Sequence, residues 1–148
     1  MRRHVLEWQD RHGTGDALVV VDYVQRVAEM TGAGSGDRAF RFAVNDITAG
    51  LRALQLETGA AVLGLVRQNR DGEAKEQLTS LAESSALEFD ADAVWFLAND
   101  RNDGHARDPV EAPSRLVRLR IAKNRHGELR VLPFVFEPHR ASFREDPE

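Results

Sequence analysis

The stretch "ALVVVDYVQRV", residues 17 to 27, decides the fold, because its apolar run ends directly on an aspartate, Asp22. Residues 17 to 22 are rich in β-branched side chains and predict a buried strand. In a parallel α/β sheet, ligands bind beyond the carboxyl ends of the strands, and Asp22 lies at such an end. A carboxylate there can hold a hydrated Mg²⁺ against a nucleotide phosphate. An ordinary aspartate in a turn has the same sequence pattern, so both interpretations stay open at this point.

The sequence on both sides of this run predicts alternating helices and strands. Residues 3 to 12 predict a helix that stops at Gly13, and a long helix starts at Asp37 and stops at Gly59. The long helix carries one apolar stripe at four- and three-residue steps, namely Phe40, Val44, Ile47, Leu51 and Leu54. Residues 60 to 66 predict a second buried strand. Strand, crossover helix and strand in this order imply a parallel pair.

The C-terminal half predicts a helix over 76 to 88, an apolar strand over 93 to 98 and a polar surface loop over 99 to 113. Two further strands, 114 to 122 and 129 to 137, are joined by a turn at Gly127. Pro133 favours a place near the sheet edge for the second of them. The acidic end "REDPE" predicts disorder. The fold class is therefore α/β, with a partial parallel sheet flanked by helices and a C-terminal β-hairpin.

Composition excludes several classes of function. A chain of 148 residues with a net charge of −4 predicts one domain and gives no global electrostatic case for nucleic acid. The absence of cysteine removes disulfides, thiolate metal sites and cysteine nucleophiles. The five histidines have no metal-ligand spacing. No signal peptide or membrane-spanning run is evident, so we expect a cytoplasmic protein without a membrane partner.

Five segments occur in the order seen in the C-terminal motor domain of DnaB-type replicative DNA helicases. They are "LVVVDYVQ", "LRALQLETGAAVLGL", "QNR" at 68 to 70, "ESSALEFDADAVWFL" at 83 to 97 and "IAKNRHGELRVLPFVFEPHRASF" at 121 to 143. The chain thus resembles the second half of that RecA-like ATPase core over residues 1 to 145, followed by a disordered tail at 146 to 148. The resemblance implies part of an ATP-dependent motor that unwinds DNA during replication.

By this resemblance Asp22 is a catalytic residue that organises Mg²⁺ through water, and Tyr23 and Gln25 continue its nucleotide-binding motif. Lys123 and Arg125 match the basic pair of the family that reaches the nucleotide of a neighbouring subunit, so both are implied to be catalytic and nucleotide-binding. Fixed positive charge near the γ-phosphate stabilises the charge spread over a transferring phosphoryl group. A basic hairpin tip in solvent is the alternative interpretation of the same turn.

The chain also departs from the family pattern. Arg67 stands where members of the family usually carry the glutamine that senses the γ-phosphate, and Gln68 follows one place later. The resemblance implies that both positions lie at the nucleotide site. It leaves the sensing role unassigned, because a shift of one residue on a strand turns the side chain to the other face. The residues implied to contact DNA are Arg70, Glu83, Ser84 and Ser85. Ala82 and Ser85 replace the usual arginine and glycine of that turn, which removes a phosphate contact.

No "GxxxxGK[ST]" phosphate loop occurs in the 148 residues. The segment "GAGSG" at 32 to 36 is followed by Asp37 and Arg38, so we interpret it as a flexible linker. ATP and Mg²⁺ are therefore expected only when a phosphate-loop half complements the chain. The partners implied are single-stranded DNA and either a homo-oligomeric ring, a hexamer by resemblance, or a missing N-terminal half.

Three functions stay open on the sequence. The chain is part of a helicase motor, or a non-catalytic RecA-like remnant that acts as an oligomerisation or DNA-associated module, or part of a RecA-like ATPase without an unwinding role.

Overall fold

The computed structural model of the chain describes residues 1–32, 36–67, 89–100 and 114–146. Contacts divide the chain into two compact units. Among the described residues, the first unit holds 1–32, 36–67 and 89–91, and the second holds 92–100 and 114–146. Within these ranges, no helix combines the length and the apolar character that crossing a membrane would need.

Three helices and two strands of the first unit lie entirely within the described residues. In chain order they are α1 (Arg2–His12), β1 (Leu18–Val21), α2 (Val24–Met30), α3 (Asp37–Thr58) and β2 (Ala61–Gly64). The strands pair in parallel, with Leu18 opposite Ala61 and Val21 opposite Gly64. This pairing confirms the predicted parallel strands joined by a crossover helix. The short helix α2, which follows Asp22 and Tyr23 directly, was not predicted.

The predicted apolar stripe of α3 forms the core of the first unit. Val44 is fully buried against Val21 and Val24, and Phe40, Ile47 and Leu51 pack around this cluster. Farther along the helix, Leu54 joins a second cluster with Val5 of α1 and Ala60. One face of α3 therefore holds β1 and α2 in place.

α3 stops where the sequence predicts. Gly59 adopts the left-handed conformation, with a φ of 70°, and its N–H donates to the carbonyl oxygen of Gln55 at 2.8 Å. Glycine reaches this conformation without the steric cost that a Cβ would bring. The chain then enters β2 after a single further residue, Ala60.

The second unit is an antiparallel sheet in the order β3-β4-β5-β6. Its strands are β3 (Ala93–Asn99), β4 (Arg115–Asn124), β5 (Val131–Glu137) and β6 (Ser142–Glu145), and a short 3₁₀ helix (Pro138–Arg140) precedes β6. The pairing of β4 with β5 confirms the predicted C-terminal hairpin. The apolar strand 93–98 of the sequence prediction is β3, and it pairs antiparallel with β4.

Two predictions about the C-terminal end are wrong. β5 is an inner strand, because β6 pairs along its outer side from Glu137 to Phe134. Pro133 fits there because its carbonyl accepts a hydrogen bond from the N–H of Asp146, so its own missing N–H points to the side where the β6 pairing ends. Arg144 and Glu145, predicted to be disordered, belong to β6.

Several sequence predictions fall outside the described residues. They are the helix over 76 to 88, the loop from 101 to 113, the centre of the glycine segment at 33 to 35, and the last two residues of the tail, 147 and 148.

Candidate functional site

The acidic residue of the candidate site follows the buried end of β1. Val21 is buried in the core, and Asp22, the next residue, is exposed. The peptide bond between Asp22 and Tyr23 is cis. Tyr23 has an extended backbone and precedes the first residue of α2, Val24. The Asp22 carboxylate therefore lies at the carboxyl end of the parallel pair, open to solvent, as an aspartate that holds Mg²⁺ through water molecules requires.

The chain after β2 is tied to the start of α2 by backbone hydrogen bonds. The N–H of Leu65 donates to the carbonyl of Val21, and the N–H of Val24 donates to the carbonyl of Leu65, both at 2.9 Å. Residues 65 to 67 therefore continue beside the segment that contains Asp22, although β1 has already ended.

The side chain of Gln25 extends this attachment by one more step. Its Nε2 donates to the carbonyl of Arg67 at 2.8 Å, and its Oε1 accepts from the N–H of Arg67 at 3.1 Å. Gln25 is only 6% exposed. Both polar atoms of its carboxamide are thus bound to the backbone of one residue, and the side chain of Arg67 remains exposed.

The charged pair next on α2 is a surface feature. Arg26 donates to Glu29 at 2.9 Å. The hydrogen bond to Glu29, followed by the attraction of its negative charge, raises the pKa of Arg26. Because an arginine side chain stays protonated at any physiological pH, this shift leaves the charge of the site unchanged.

The described residues contain no group of three or more histidine, aspartate or glutamate side chains placed to hold a metal ion. Asp22 is the acidic side chain at the carboxyl end of β1, and a single exposed carboxylate suits a water-mediated contact with Mg²⁺ that the phosphates also hold. The residues present therefore fit part of a magnesium nucleotide site, and the phosphate contacts would have to come from elsewhere.

The basic turn, which carries Lys123 and Arg125, follows a β-bulge in β4. The bulge decides on which face of the sheet Lys123 lies. Val94 pairs with Lys123 and Trp95 with Ile121, so Ala122 has no partner on β3. Directly opposed residues share a face of the sheet, and successive residues alternate. Lys123 therefore lies on the face opposite to Ile121, although the two are only two residues apart.

The face reached by Lys123 carries further basic residues of β4. Arg118 pairs with Ala98 and Arg120 with Phe96, and these two partners alternate with Trp95 and Leu97. The opposite face carries the apolar side chains of Trp95, Leu97, Leu119, Ile121 and Phe143, together with Arg115 and Glu145 at its far end. Without the bulge, Lys123 would lie on this apolar face.

Arg125 is attached to Asp92 by its backbone and by its side chain. Its N–H donates to the carbonyl of Asp92 at 2.9 Å, and its Nη1 donates to Oδ1 of Asp92 at 2.8 Å. The side chains are 42% and 44% exposed, so this is a surface ion pair. Arg125 follows the last residue of β4, Asn124, and its bonds to Asp92 hold it at the same end of the sheet as Lys123.

Asn124 shapes the turn that carries this pair. Its Oδ1 accepts from the N–H of His126 at 3.3 Å, and its Nδ2 donates to the carbonyl of Glu128 at 3.4 Å. An aspartate or asparagine side chain often stabilises a turn in this way. The side chain lies so close to Gly127 that a Cβ at that position would be 2.7 Å from Nδ2. A side chain at position 127 would therefore require Asn124 to move.

The structure brings four of the predicted site residues into the first unit, at the end of the parallel pair: Asp22, Tyr23, Gln25 and Arg67. Lys123 and Arg125 lie at one end of the sheet of the second unit. The remaining predicted positions, Gln68, Arg70, Glu83, Ser84 and Ser85, lie outside the described residues.

Sequence reasoning missed two residues that shape the site, Asp92 and Asn124. The signal for Asp92 was its place just before one apolar strand, while Arg125 comes just after another. The two side chains can pair if these strands are antiparallel neighbours. The signal for Asn124 was its position three residues before a glycine at a predicted turn.

The family model of the DnaB-like helicase C terminal domain matches residues 1–145. Similar proteins include the replicative DNA helicase DnaB of Geobacillus stearothermophilus, 28% identical over 83% of this chain and 26% of the relative, and that of Mycobacterium leprae, 30% identical over 90% of this chain and 21% of the relative. The chain spans about a quarter of the length of these curated relatives.

Two solved structures share the fold. One is an ATPase domain with a TM-score of 0.68 at 24% identity, matched over 87% of this chain and 44% of its own. The other is a DnaB-like replicative helicase, solved in a study of its interactions with primase, with a TM-score of 0.73 at 22% identity, over 96% of this chain and 34% of its own. The predicted fold class, α/β with a partial RecA-like sheet, is confirmed.

Proposed function

Because the chain belongs to the family of DnaB-like helicase C-terminal domains, we propose that it is part of the ATP-driven motor of a replicative DNA helicase. The observation that carries this proposal is the exposed carboxylate of Asp22 at the carboxyl end of the β1/β2 pair, where α/β folds bind their ligands. In this function, the chain supplies the metal-organising side of a nucleotide site, and the phosphate loop comes from residues outside these 148.

The cofactors proposed are ATP and Mg²⁺. Asp22 would hold Mg²⁺ through water, and bound Mg²⁺ neutralises negative charge that develops on the phosphates. Arg67, with its exposed side chain and its backbone held by Gln25, would meet the γ-phosphate end of the nucleotide. An arginine there can stabilise phosphate charge by a bidentate contact that carries a full positive charge. A glutamine is neutral and lacks this charge.

The basic turn would act on a nucleotide held by a neighbouring subunit. A ring built from head-to-tail contacts places residues of one subunit at a site formed by the next. Lys123 is half-buried and Arg125 is exposed at one end of the sheet, so their side chains could reach across such an interface. We propose a homo-oligomeric ring of six subunits in the cytoplasm.

Single-stranded DNA is the proposed nucleic acid partner. The positions that the family resemblance assigns to this contact are Arg70, Glu83, Ser84 and Ser85. Arg70 would contact phosphate, which gives affinity without sequence preference.

A second candidate function is a non-catalytic RecA-like module for oligomerisation or DNA association. Three differences from the family pattern favour it, namely Arg67, Ala82 and Ser85, together with the absence of a phosphate loop from the 148 residues. A module of this kind would keep the fold and lose turnover.

Joining the chain to a phosphate-loop half tests the motor proposal. We would fuse it to the corresponding upstream half of the Geobacillus stearothermophilus relative and measure ATP hydrolysis with and without single-stranded DNA. The isolated chain should not turn over ATP, because its 148 residues contain no phosphate-loop motif, whose lysine and backbone amides would hold the phosphates.

The fused form should hydrolyse ATP, and Asp22→Asn should lower that rate at least about a hundredfold, as loss of an electrostatic catalytic group does. A folded fusion that binds nucleotide without hydrolysing it would favour the non-catalytic module. Turnover by the isolated chain would contradict the proposed division of the site.

A further inference from the structure

We propose that Gln25 is a positioning residue, whose carboxamide fixes the backbone of Arg67 at the nucleotide end of the first unit. It would act through Arg67 and would not itself contact nucleotide. The functional half of this inference rests on the proposed motor function, since it assumes that Arg67 meets the γ-phosphate. The structural half stands on the hydrogen bonds alone.

The bond pattern explains why the residue type matters. Arg67 offers a backbone N–H and a carbonyl, and the carboxamide of Gln25 offers the matching acceptor and donor. The side chain thus takes the place of a residue on a neighbouring strand. β1 has ended at Val21 and cannot supply that residue itself.

Burial makes the two bonds hard to replace. Gln25 is 6% exposed, and water has little access to the carboxamide. A buried donor or acceptor without a partner destabilises the arrangement, so a nucleotide could engage Gln25 only by releasing Arg67. Asparagine is shorter by one methylene, glutamate lacks the donor, and methionine lacks both polar atoms.

Positioning of Arg67 matters because its side chain is long and exposed. Fixing the backbone at its N–H and carbonyl limits where the guanidinium can reach. Misplacement of a catalytic contact by about 1 Å can cost a hundredfold in rate. The sequence separation of the two residues is 42, so this contact links α2 to the segment after β2.

Hydrogen exchange in the full chain tests the structural half. We would measure amide exchange by NMR in the unaltered chain and in Gln25→Met and Gln25→Glu. The amide of Arg67 should exchange at least about tenfold faster in Gln25→Met, because its acceptor is gone. In Gln25→Glu the acceptor remains, so the acceleration should be smaller.

Two internal references show whether a variant is still folded. The amide of Ala61, which donates to the carbonyl of Ala17 at the far end of the parallel pair, should keep its rate. Gln9→Met is the matched control, because the carboxamide of Gln9 also bridges backbone carbonyls, those of Gly15 and Thr58, and does not touch Arg67. It should leave Arg67 exchange unchanged.

Unchanged Arg67 exchange in Gln25→Met would overturn the proposal. If Gln25→Met loses protection at Ala61 as well, Gln25→Glu becomes the deciding variant. Partial protection of the Arg67 amide in Gln25→Glu would support the proposal. Exchange as fast as at an unprotected amide would overturn the proposal.

A double-mutant cycle in the fused form tests the functional half. Gln25→Met should lower kcat and leave the KM for ATP within about twofold, and Arg67→Ala should remove most of that effect, since the two residues act as one unit. Additive losses would overturn the link to catalysis. An inactive fusion with the expected exchange pattern would contradict the motor proposal and leave the positioning role of Gln25 supported.

Discussion

The two candidate regions differ in what holds them in place. The end of the parallel pair in the first unit rests on a buried core of Val21, Val24, Ala28 and Val44, and its Gln25 link is buried too. The basic turn of the second unit is shaped by a bulge, an asparagine side chain and an exposed ion pair.

Because of this difference, substitutions in the two regions should affect different properties of the protein. A change beneath Asp22 alters the packing of the core, so its first effect should be on folding. A change at Lys123 or Arg125 removes charge outside the core, so folding should persist while any action on a nucleotide is lost.

Removing either charge of the basic turn should have the largest effect. In the fused, ring-forming protein, Lys123→Ala or Arg125→Ala should lower ATP hydrolysis by roughly 10³ or more, the factor associated with trans-acting arginines. Nucleotide binding and the melting temperature should hardly change. Steady-state ATPase rates and thermal melting measure the two parts.

A control variant removes one positive charge at a position away from the basic turn. Arg144→Ala removes an exposed arginine on β6, paired with Glu137 at 3.7 Å, and should leave hydrolysis unchanged. Equal rates for Arg125→Ala and Arg144→Ala would mean that the turn is a hairpin tip in solvent, and the non-catalytic module would then be the better function.

A core substitution in the first unit should have the largest effect on stability. Val44→Ala should lower the free energy of unfolding by about 2 to 3 kcal/mol, because Val44 is 0% exposed and its lost methyl groups leave a cavity. Leu97→Ala, at a position 57% exposed on β3, should cost less than about 0.5 kcal/mol. Urea denaturation of the chain measures both. Similar losses would contradict the contrast between the regions.

The exposed apolar face of the second unit predicts self-association. Trp95 is 55% exposed and Leu97 57% exposed on edge strand β3, and Phe143 of β6 lies on the same face. Light scattering should show dimers or larger species, and Leu97→Lys should weaken association by about tenfold, equivalent to about 1.4 kcal/mol. Asn99→Lys adds the same charge without removing apolar surface and should have a smaller effect. A monomer at all concentrations would contradict this prediction.

The contrast also explains which features the sequence could predict. The apolar stripe of α3, its end at Gly59 and the β4/β5 hairpin are local patterns, and each was predicted from neighbouring residues. The bulge at Ala122 and the ion pair of Asp92 depend on register between strands, which no local pattern contains.

The remaining misses have the same origin. The carboxamide of Gln25 meets a residue 42 positions away, so its role could not be derived from its own motif. β6 is only four residues long and wholly exposed, so it has no alternating apolar pattern to mark it. Pro133 favours an edge strand on sequence alone because it lacks an N–H. The sequence does not show which side of β5 this missing group faces.

Two glycines next to the candidate regions should respond differently to a methyl group. A Cβ at Gly64 would lie 3.2 Å from Cγ2 of buried Val24, so Gly64→Ala should destabilise the chain by about 1 kcal/mol or more. At Gly127 the neighbour is the side chain of Asn124, which lies at the surface and can turn away, so Gly127→Ala should cost less than about 0.5 kcal/mol.

Gly50→Ala is the control for both glycines, because it lies in α3 with nothing within 4 Å of the added Cβ. It should raise stability by up to about 1 kcal/mol through helix propensity. Thermal or urea denaturation measures all three variants. A larger loss at Gly127 than at Gly64 would show that the basic turn is the more tightly packed region.

Neutralising Asp92 should have only a small effect on stability. Asp92→Asn keeps the backbone carbonyl that accepts from Arg125 and keeps a side-chain oxygen, and it removes only the negative charge. With both side chains more than 40% exposed, solvent screens the attraction, so the loss should be about 0.2 to 1 kcal/mol. The loss should fall further at 1 M salt, where the screening length is about 3 Å.

Glu29→Gln on α2 is the matched surface pair, since Glu29 binds Arg26 at a similar distance of 2.9 Å. Urea denaturation at low and high salt should show a small, salt-dependent loss for both variants. A salt-independent loss above about 2 kcal/mol in Asp92→Asn alone would mean that Arg125 is held as firmly as the backbone of Arg67 is held by Gln25. Arg125 would then have to break a strong contact before it could reach a neighbouring nucleotide, and the basic turn would be a fixed part of its own unit.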